Sequence, residues 1–572
     1  MKYLPTRLDT TKYSDVDTTG CVNVLSGCFD SSNDTRAIKR LRVHRIIYIL
    51  LLTLLAGSAV TSNFMMNLAW TLLFANWLLE WDMKRKFAQF AQLGLLHFSM
   101  AIFLVSVVGL VWSDDIIVGL DSLRQTLPLL AIPLVVLTSR PLASRQLRIV
   151  ATGYVGTVLV VSVIGFVRWL TIPDLPYRAI VPYISHIRFS LNTCLAVCIL
   201  VASMAKCFAT GRKPAKQMWF AVVRPVLAVV LVIWFLFFLL LLQSYTGLII
   251  LLVTALVVLL FSFGRSFFSK TSGKQCGNGL KVRLMLLCVV LLSVGSVAGL
   301  CCHYVNEYYT PRLEHADQSR YTVAGNPYTF ARDGLIECGR KVNDFVCEPE
   351  LRRQWGRVSG MSYDSLTPVG YPVGSALVRY LNAMGVSKDS AGVMTLSRGD
   401  IKAIEQGIAN PVYNQKASIR RMVYVMLFEY ENYRCFHSVR GFTMLQRIEL
   451  WSAAWGVVAD NWLHGVGTGD VRSELHRQLT LSRSPLAETD MLPHNQYLFT
   501  MMSFGLIAFA ALCAVAVWAF VRQRLWRNTL WIACATIVIV SCLTEDTLLT
   551  CAGAIFSALS LSLISTVKRY SK

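Results

Sequence analysis

The chain has 572 residues, of which 55% are apolar and only 15% are charged, and its mean hydropathy is +0.51. Ordinary soluble domains carry about 25% charged residues, so the composition excludes a chain made only of soluble domains and indicates a membrane protein. The formal net charge of +22 would favour nucleic-acid binding in a soluble protein, but basic residues beside apolar segments set membrane orientation instead.

The two ends of the chain are polar. Residues 1–45 contain no apolar core before Ile46, so they are not typical of a cleavable signal peptide. They predict a cytoplasmic N-terminal tail, and the short basic segment 568–572 predicts a cytoplasmic C-terminal tail.

Apolar segments long enough to cross a bilayer lie between these tails. A bilayer core about 30 Å thick needs roughly 20 mainly apolar residues per helix. Residues 46–302 hold nine such segments and residues 496–567 hold three more. The sequence therefore predicts an all-α integral membrane protein with about 12 transmembrane helices, at 46–61, 64–79, 93–112, 123–139, 149–167, 187–205, 226–242, 247–263, 284–302, 496–521, 529–543 and 548–567.

Basic residues alternate between the connections. The connections 61–63, 113–122, 243–246 and 544–547 contain no Lys or Arg. The intervening connections are basic, and they contain Lys84, Arg85 and Lys86; Arg140, Arg145 and Arg148; Arg212, Lys213 and Lys216; Arg265, Lys270, Lys274 and Arg283; and Arg522, Arg524 and Arg527. Because cytoplasmic connections carry the excess of Lys and Arg, both termini are predicted to be cytoplasmic.

Residues 303–495 have the composition of a soluble domain and predict one large, mainly helical loop on the outer side. Helices are expected near 397–409 and 414–432, with a stronger amphipathic helix at 442–459. The first part of the loop, 303–433, matches no known motif. The chain is not a disulfide scaffold, because most of its 16 cysteines lie in apolar runs. Cys338 and Cys347 either pair on the oxidising side or remain two free thiols.

Charged side chains are scarce inside the predicted spans, which disfavours a pump or secondary transporter. His97 is the only titratable residue well inside a span, and a packed side chain is the simpler interpretation. The glycine-rich segment 465–470 follows a predicted helix rather than a strand, so it does not support a dinucleotide fold. It predicts a tight turn, whose backbone amides are an alternative contact for an anion.

Four arginines depart from the charge rule because they lie at outer helix ends. They are Arg124, Arg168, Arg178 and Arg188, and such exceptions indicate an anionic partner. Arg188 follows His186 where the sixth span begins, and its alternative role is an interfacial contact with lipid phosphate. His494 lies at the outer mouth of the tenth span, where it acts either as a proton acceptor or as an interfacial or capping residue.

Several separated motifs are similar to those of one bacterial family. They are the segments 186–191, 244–247, 446–451, 465–470, 494–498 with 504–507, and 544–546. Together with twelve spans and a large outer loop before the tenth, they resemble the O-antigen ligase family. Its superfamily also contains O-antigen polymerases and some bacterial oligosaccharyltransferases.

The resemblance implies a glycosyltransferase in the bacterial inner membrane, with its active site on the periplasmic face. The donor is a glycan linked through pyrophosphate to a polyprenyl lipid, and the acceptor is a sugar hydroxyl, such as one of lipid A-core. Transfer would invert the anomeric carbon in one step and need no metal or other cofactor. The other partners are membrane lipids, and no nucleic acid is involved.

The resemblance also implies residue roles. Arg188 and Arg447, with Arg440 beside them, would bind the donor pyrophosphate, because guanidinium groups meet phosphate oxygens bidentately. His494 would be the catalytic base. His186, Asn495 and Glu545 would support the site, and Glu545 is the second candidate for the base. The pair Glu545 and Asp546 either caps a helix or helps orient the site.

Two kinds of alternative stay open. Within the superfamily, the chain would be a polysaccharide polymerase or a protein O-oligosaccharyltransferase. Outside it, the chain would be a flippase or exporter of lipid-linked glycan, which the scarcity of charge in the spans disfavours.

Overall fold

The architecture is almost entirely helical. A computed structural model describes residues 34–90, 93–173, 175–209, 218–268, 276–310, 320–330, 334–415, 418–437, 439 and 443–566. The α-helices are α1 Asp34–Ser58, α2 Asn63–Leu79, α3 Met83–Phe90, α4 Gly94–Val108, α5 Ile116–Thr126, α6 Pro128–Thr138, α7 Ser144–Thr171, α8 His186–Ala209, α9 Met218–Leu241, α10 Tyr245–Phe268, α11 Cys276–Tyr309, α12 Glu348–Val358, α13 Val373–Met384, α14 Ser390–Met394, α15 Arg398–Glu405, α16 Ile419–Phe436, α17 Thr443–Asp460, α18 Val471–Leu481, α19 Gln496–Arg522, α20 Thr529–Thr544 and α21 Cys551–Thr566. Two short strands, β1 (Ile336–Glu337) and β2 (Arg340–Lys341), pair antiparallel.

The long apolar helices define the class of protein. With α5 and α6 taken together as Ile116–Thr138, eight helical segments in the described ranges are long and apolar enough to cross a membrane, and the number becomes nine if α3 and α4 form one broken span. Two shorter apolar helices, α20 and α21, follow near the C-terminal end. The prediction of an α-helical membrane protein is thereby confirmed. The predicted tails at 1–45 and 568–572 lie largely or wholly outside the described residues.

The fourth predicted span differs from expectation. Residues 123–139 were expected to form one helix, but the apolar segment begins at Ile116 and is divided into α5 and α6. Pro128 lies in the first turn of α6, where a residue without a backbone N–H is tolerated. Arg124 consequently lies in the last turn of α5 instead of at the start of a span.

The chain folds into two compact units. The first unit comprises the described residues of Met1–Arg283, Ala454–Leu475 and Pro493–Lys572. Its core consists of apolar side chains such as Leu52 and Phe189. Hydrogen bonds between helices satisfy polar groups that have no water partner in a bilayer. One joins α7 to α8, because the Tyr154 hydroxyl donates to Oδ1 of Asn192 at 2.8 Å.

The second unit comprises Leu284–Ala453 and His476–Leu492. Its core is built around Trp355 and Tyr380, both fully buried. A buried ion pair lies in this core, where the Arg379 guanidinium donates to both carboxylate oxygens of Glu337 at 2.8 and 3.0 Å. Such a bidentate pair fixes both side chains, since either charge alone would be costly to bury.

The three helices expected in the loop are present. They are α15, α16 and α17, and two of them begin at serine caps. The Ser397 hydroxyl accepts from the Asp400 amide at 3.2 Å, and the Ser418 hydroxyl accepts from the Arg421 amide at 3.0 Å. Helices α12, α13 and α14 and the two strands were not predicted.

The two cysteines of the loop are separate. Cys338 and Cys347 are both buried, and no disulfide joins them. Cys338 accepts a hydrogen bond from the Asn410 amide at 3.5 Å. Of the two interpretations that the spacing left open, the structure shows two thiols that are not joined to each other.

Candidate functional site

The first turn of α8 carries two of the predicted site residues, His186 and Arg188. The ring of Tyr177 meets the His186 imidazole edge-on, with centroids 5.5 Å apart. The Ser185 hydroxyl accepts from the Arg188 amide at 3.4 Å. One turn later, the Asn192 amide donates to the Arg188 carbonyl at 2.9 Å. Because Tyr154 holds Asn192, this turn is fixed against α7.

The turn between α20 and α21 carries two carboxylates, Glu545 and Asp546. The Glu545 amide donates to the Ser541 carbonyl at 2.9 Å and ends α20. The hydroxyls of Ser541 and Thr547 lie 3.0 Å apart in a hydrogen bond. These contacts place the carboxylates at a fixed helix end.

His494 precedes α19 in a left-handed backbone conformation, with φ of 47°. Asn495 caps the helix, and its Oδ1 accepts from the amides of Tyr497 at 3.0 Å and Leu498 at 3.2 Å. Such a side-chain cap fixes where the helix starts. The residue before it, His494, is thereby held at the helix entrance.

Two of these segments meet through a histidine and an aspartate. The His494 Nδ1 lies 3.4 Å from Oδ2 of Asp546. The other oxygen of Asp546, Oδ1, is buried and has no hydrogen-bond partner among the described residues. The His494 side chain keeps 41% of its surface exposed, whereas that of Asp546 keeps 12%. The pair thus has a largely shielded carboxylate and an accessible imidazole.

The turn after α20 and the start of α19 are also tied directly. The side-chain Oε1 of Gln496 accepts from the Leu548 amide at 2.9 Å, and Gln496 is buried. His494 and Gln496 belong to one segment, and Asp546 and Leu548 belong to the other. This hydrogen bond therefore helps to hold the imidazole close to the carboxylate.

Arg188 lies in a small cleft beside the carboxylates. The cleft is lined by Ala59, Ile187, Arg188, Leu191, Asn192, Glu545, Thr547, Ala552, Gly553 and Phe556. Glu545 and Asp546 both attract the Arg188 guanidinium electrostatically. The structure therefore brings together Arg188, His494, Glu545 and Asp546, which we call the candidate cluster.

The remaining predicted site residues lie elsewhere in the chain. Arg447 is half-buried in α17 and belongs to the second unit. Close to it in the chain, the Tyr433 hydroxyl donates to Glu449 at 3.4 Å and joins α16 to α17. Arg440 lies outside the described residues.

The other arginines that departed from the charge rule have protein partners. Arg124 lies 2.7 Å from the Asp121 carboxylate. Arg168 donates to the Ala179 carbonyl at 3.3 Å, and Arg178 donates to the Tyr177 hydroxyl at 3.1 Å. Each of these three arginines therefore has a local acceptor within the protein.

His97 is a packed side chain, as expected. Its Nδ1 lies 2.7 Å from the Leu93 carbonyl oxygen. Its ring lies between Phe90 and Trp518, with centroids 5.4 and 5.6 Å away.

The glycine-rich segment 465–470 is a structural connection within the first unit. Its amides donate to protein acceptors: Val466 to the Met502 carbonyl at 2.8 Å and Gly467 to the Ser503 carbonyl at 2.9 Å. The Gly469 amide donates to the Ser113 hydroxyl at 2.7 Å. The alternative that these amides meet an anion is therefore wrong, because protein oxygens already accept from them.

Asp470 completes this connection. Its carboxylate accepts from the Ser113 hydroxyl at 3.0 Å and from the amides of Asp114 and Asp115 at 2.8 and 2.9 Å. Three donors to one buried carboxylate compensate its burial. Asp470 ends the motif 465–470, but no sequence pattern indicates its partners, which are more than 300 residues away in the chain.

The candidate cluster combines three kinds of group. A carboxylate beside Nδ1 favours the proton on that nitrogen, which leaves the lone pair of the imidazole on Nε2. Such an imidazole can accept a proton from a hydroxyl. Arg188 supplies a permanent positive charge for an anion. In the described part of the chain, no three His, Cys, Asp or Glu side chains group as metal ligands would.

Asn192 is a member of this site that the sequence did not single out, and Asp546 was named only as the partner of Glu545 in a pair that caps a helix or orients the site. The signal for Asp546 was its place beside Glu545 in a segment already matched to the family. For Asn192 the signal was its position one helical turn after Arg188, since residues four apart share a helix face.

Comparisons with family models and with curated proteins give no match for this chain. The resemblance to the O-antigen ligase family therefore remains a prediction.

Proposed function

We propose that the chain is a membrane glycosyltransferase of the O-antigen ligase type, which transfers a glycan from a polyprenyl-pyrophosphate carrier to a sugar hydroxyl. The observation that carries the proposal is the His494–Asp546 contact at 3.4 Å, with Arg188 attracted to the same carboxylates. A base and a permanent cation at one membrane-helix end fit a reaction that activates a hydroxyl and releases a pyrophosphate.

The base would act on the acceptor. Asp546 orients His494, and Nε2 accepts the proton of the acceptor hydroxyl as that oxygen attacks the anomeric carbon. A positioned base contributes roughly 10²- to 10⁴-fold to the rate. Since the attack comes opposite the departing group, the configuration is inverted in a single displacement.

The leaving group requires charge rather than a proton. Pyrophosphate departs as an anion, and Arg188 would stabilise it through charged hydrogen bonds worth about 1.5–3 kcal/mol each. Arg447 and Arg440 keep the donor-binding role that the resemblance implies. Glu545 and Asp546 balance the charge of Arg188, so we propose that donor phosphate competes with them for the guanidinium.

We propose a twelve-span topology in the bacterial inner membrane. Each predicted span overlaps an apolar helix or helix pair among the described residues. The shorter helices α2, α20 and α21 would complete the twelve. Both termini would be cytoplasmic, and the candidate cluster and the loop 303–495 would be periplasmic, as the distribution of Lys and Arg indicates.

The test is transfer by the purified full-length protein. We would measure glycan release from a polyprenyl-pyrophosphate donor, with lipid A-core, a second lipid-linked glycan and a periplasmic protein as separate acceptors. His494→Ala should abolish transfer, whereas His476→Ala, at an exposed position of α18, should leave it unchanged.

The acceptor that reacts distinguishes a ligase from a polymerase and from a protein glycosyltransferase. Full transfer by a folded His494→Ala variant would contradict the assigned base. Movement of the donor across vesicles without any transfer would instead support a flippase.

A further inference from the structure

The second unit contains a groove that the proposed chemistry does not use. Its walls come mainly from the segment before β1, the turn that follows β2, α13 and α16. Its volume is about 500 Å³, which lies in the range of small-molecule sites in proteins. We propose that this groove binds a neutral saccharide segment, an inference that rests on the proposed glycosyltransferase function.

The groove has aromatic walls. Phe330 lines it with 51% of its surface exposed, and the Phe345 ring packs edge-on against Phe330 with centroids 4.7 Å apart. Tyr371 lines another part, and its hydroxyl accepts from the Arg379 guanidinium at 3.2 Å. Aromatic rings offer flat apolar faces with polar edges, which match the C–H faces and hydroxyl rims of sugar rings.

The walls are held in place from behind. The Arg379 guanidinium lies 3.4 Å from the centroid of the Phe428 ring, and it is itself fixed by Glu337. At Gly374 a side chain is excluded, because a Cβ there would lie 2.6 Å from Cζ of Tyr363. A preformed wall lowers the cost of ordering side chains when a ligand binds.

The polar groups of the groove are mostly neutral. Asn343, Asn432 and Ser375 line it, and amides and hydroxyls both donate and accept hydrogen bonds. Sugar hydroxyls also do both, so amide and hydroxyl linings complement them. Phosphate and pyrophosphate only accept at neutral pH and would favour a cationic lining instead.

The two charged residues of the groove are already balanced. Arg379 is paired with Glu337 in the core, and Glu348 lies 3.0 Å from the guanidinium of Arg352. A lining without unbalanced charge disfavours an ionic ligand, and its aromatic walls favour a ring with an apolar face. A neutral saccharide satisfies both conditions.

The groove can be blocked at an exposed position. Ser375 lies in the first turn of α13 and is exposed, so Ser375→Trp would fill the groove without replacing a core residue. Ser482→Trp is the matched control, because Ser482 is an exposed serine of the same unit outside the groove.

The experiment measures saccharide binding to the full-length protein in a detergent without sugar headgroups. The probes are neutral disaccharides, inorganic pyrophosphate and a short aromatic peptide, detected by saturation-transfer NMR. We expect a neutral disaccharide to bind, Ser375→Trp to weaken it at least tenfold, and Ser482→Trp and His494→Ala to leave it unchanged. If Ser375→Trp does not fold, the double variant Asn343→Ala/Asn432→Ala replaces it, with an expected loss of about tenfold.

Other outcomes overturn the inference. They are the absence of saccharide binding, undiminished binding in the folded groove variants, and displacement of the saccharide by the peptide or by pyrophosphate. Saccharide binding without any glycan transfer would retain the groove and contradict the proposed function. If the protein is an active enzyme, the KM values of Ser375→Trp identify which saccharide the groove binds. A rise in KM for the acceptor alone assigns the groove to the acceptor, and a rise in KM for the donor alone assigns it to the donor glycan.

Discussion

The His494 Nδ1 lies 3.4 Å from Oδ2 of Asp546, although the two residues precede α19 and follow α20, respectively. The contact joins the start of one apolar helix to the end of the next. It gives the imidazole a defined orientation, because the carboxylate is largely shielded from solvent and itself held at a fixed helix end. Several consequences of this arrangement can be measured.

Replacing Asp546 tests the orientation of the base. In Asp546→Asn the shape is retained but the negative charge that favours the Nδ1 proton is lost, so transfer should fall by at least about 10²-fold. Initial rates at saturating donor are the measurement. Asp364→Asn, at a carboxylate with 63% of its side chain exposed, should retain the wild-type rate, and an equal rate in both variants would contradict the orienting role.

Replacing Arg188 tests the donor contact. Arg188→Ala should weaken donor binding or turnover by roughly 10- to 100-fold, which corresponds to one or two charged hydrogen bonds. Arg188→Lys should recover only part of the loss, because an ammonium lacks the bidentate fork. The matched control is Arg124→Ala, which removes an arginine that is 79% exposed and pairs locally with Asp121. Unchanged donor kinetics in Arg188→Ala would exclude the assignment.

The kink of α19 is predicted to require glycine. Gly505 has φ of 74°, and a Cβ there would lie 2.4 Å from the Leu463 carbonyl oxygen. Gly505→Ala should therefore lower the free energy of unfolding by about 1–3 kcal/mol or more. Gly299→Ala in α11 is the control, since a Cβ there meets nothing within 4 Å and alanine favours a helix. The unfolding temperature of each purified variant is the measurement. Equal midpoints for Gly505→Ala and Gly299→Ala would refute the steric requirement.

The stability of the second unit should depend on pH through the Glu429 carboxyl group. Burial raises the pKa of the Glu429 carboxyl to about 7, although the Met444 amide that donates to it acts in the opposite direction. Its Oε2 is buried without a hydrogen-bond partner in the described residues. The folded state therefore holds a proton that the unfolded state loses near its ordinary pKa of about 4.3.

The direction in which stability changes with pH follows from this difference in protonation. The contribution of Glu429 is fully favourable below the unfolded pKa and is lost as the pH rises through about 7. Glu429→Gln, which stays neutral, should unfold at the same temperature as the wild type at pH 4.5. At pH 8 it should be more stable by roughly 1–3 kcal/mol. A pH-independent difference between the two proteins would be the contrary result.

The sequence predicted the helical loop elements less completely than the spans. Helices α15 to α17 have clear caps or apolar periodicity, and they were predicted. The short helix α14 and the strands have too few residues for a period to appear. The division of one continuous apolar segment into α5 and α6 at Pro128 was not predicted either. The apolar pattern continues through the break and gives no sign of it.

The sequence by itself determined the membrane class and the positions of the apolar helices, because hydrophobic length is a local property of consecutive residues. It also singled out Arg188, His494 and Glu545. Only the tertiary structure decided that Asp546 meets His494 and that Asp470 accepts from residues 113–115. These contacts join residues far apart in the chain, and no local pattern specifies which helix ends will meet.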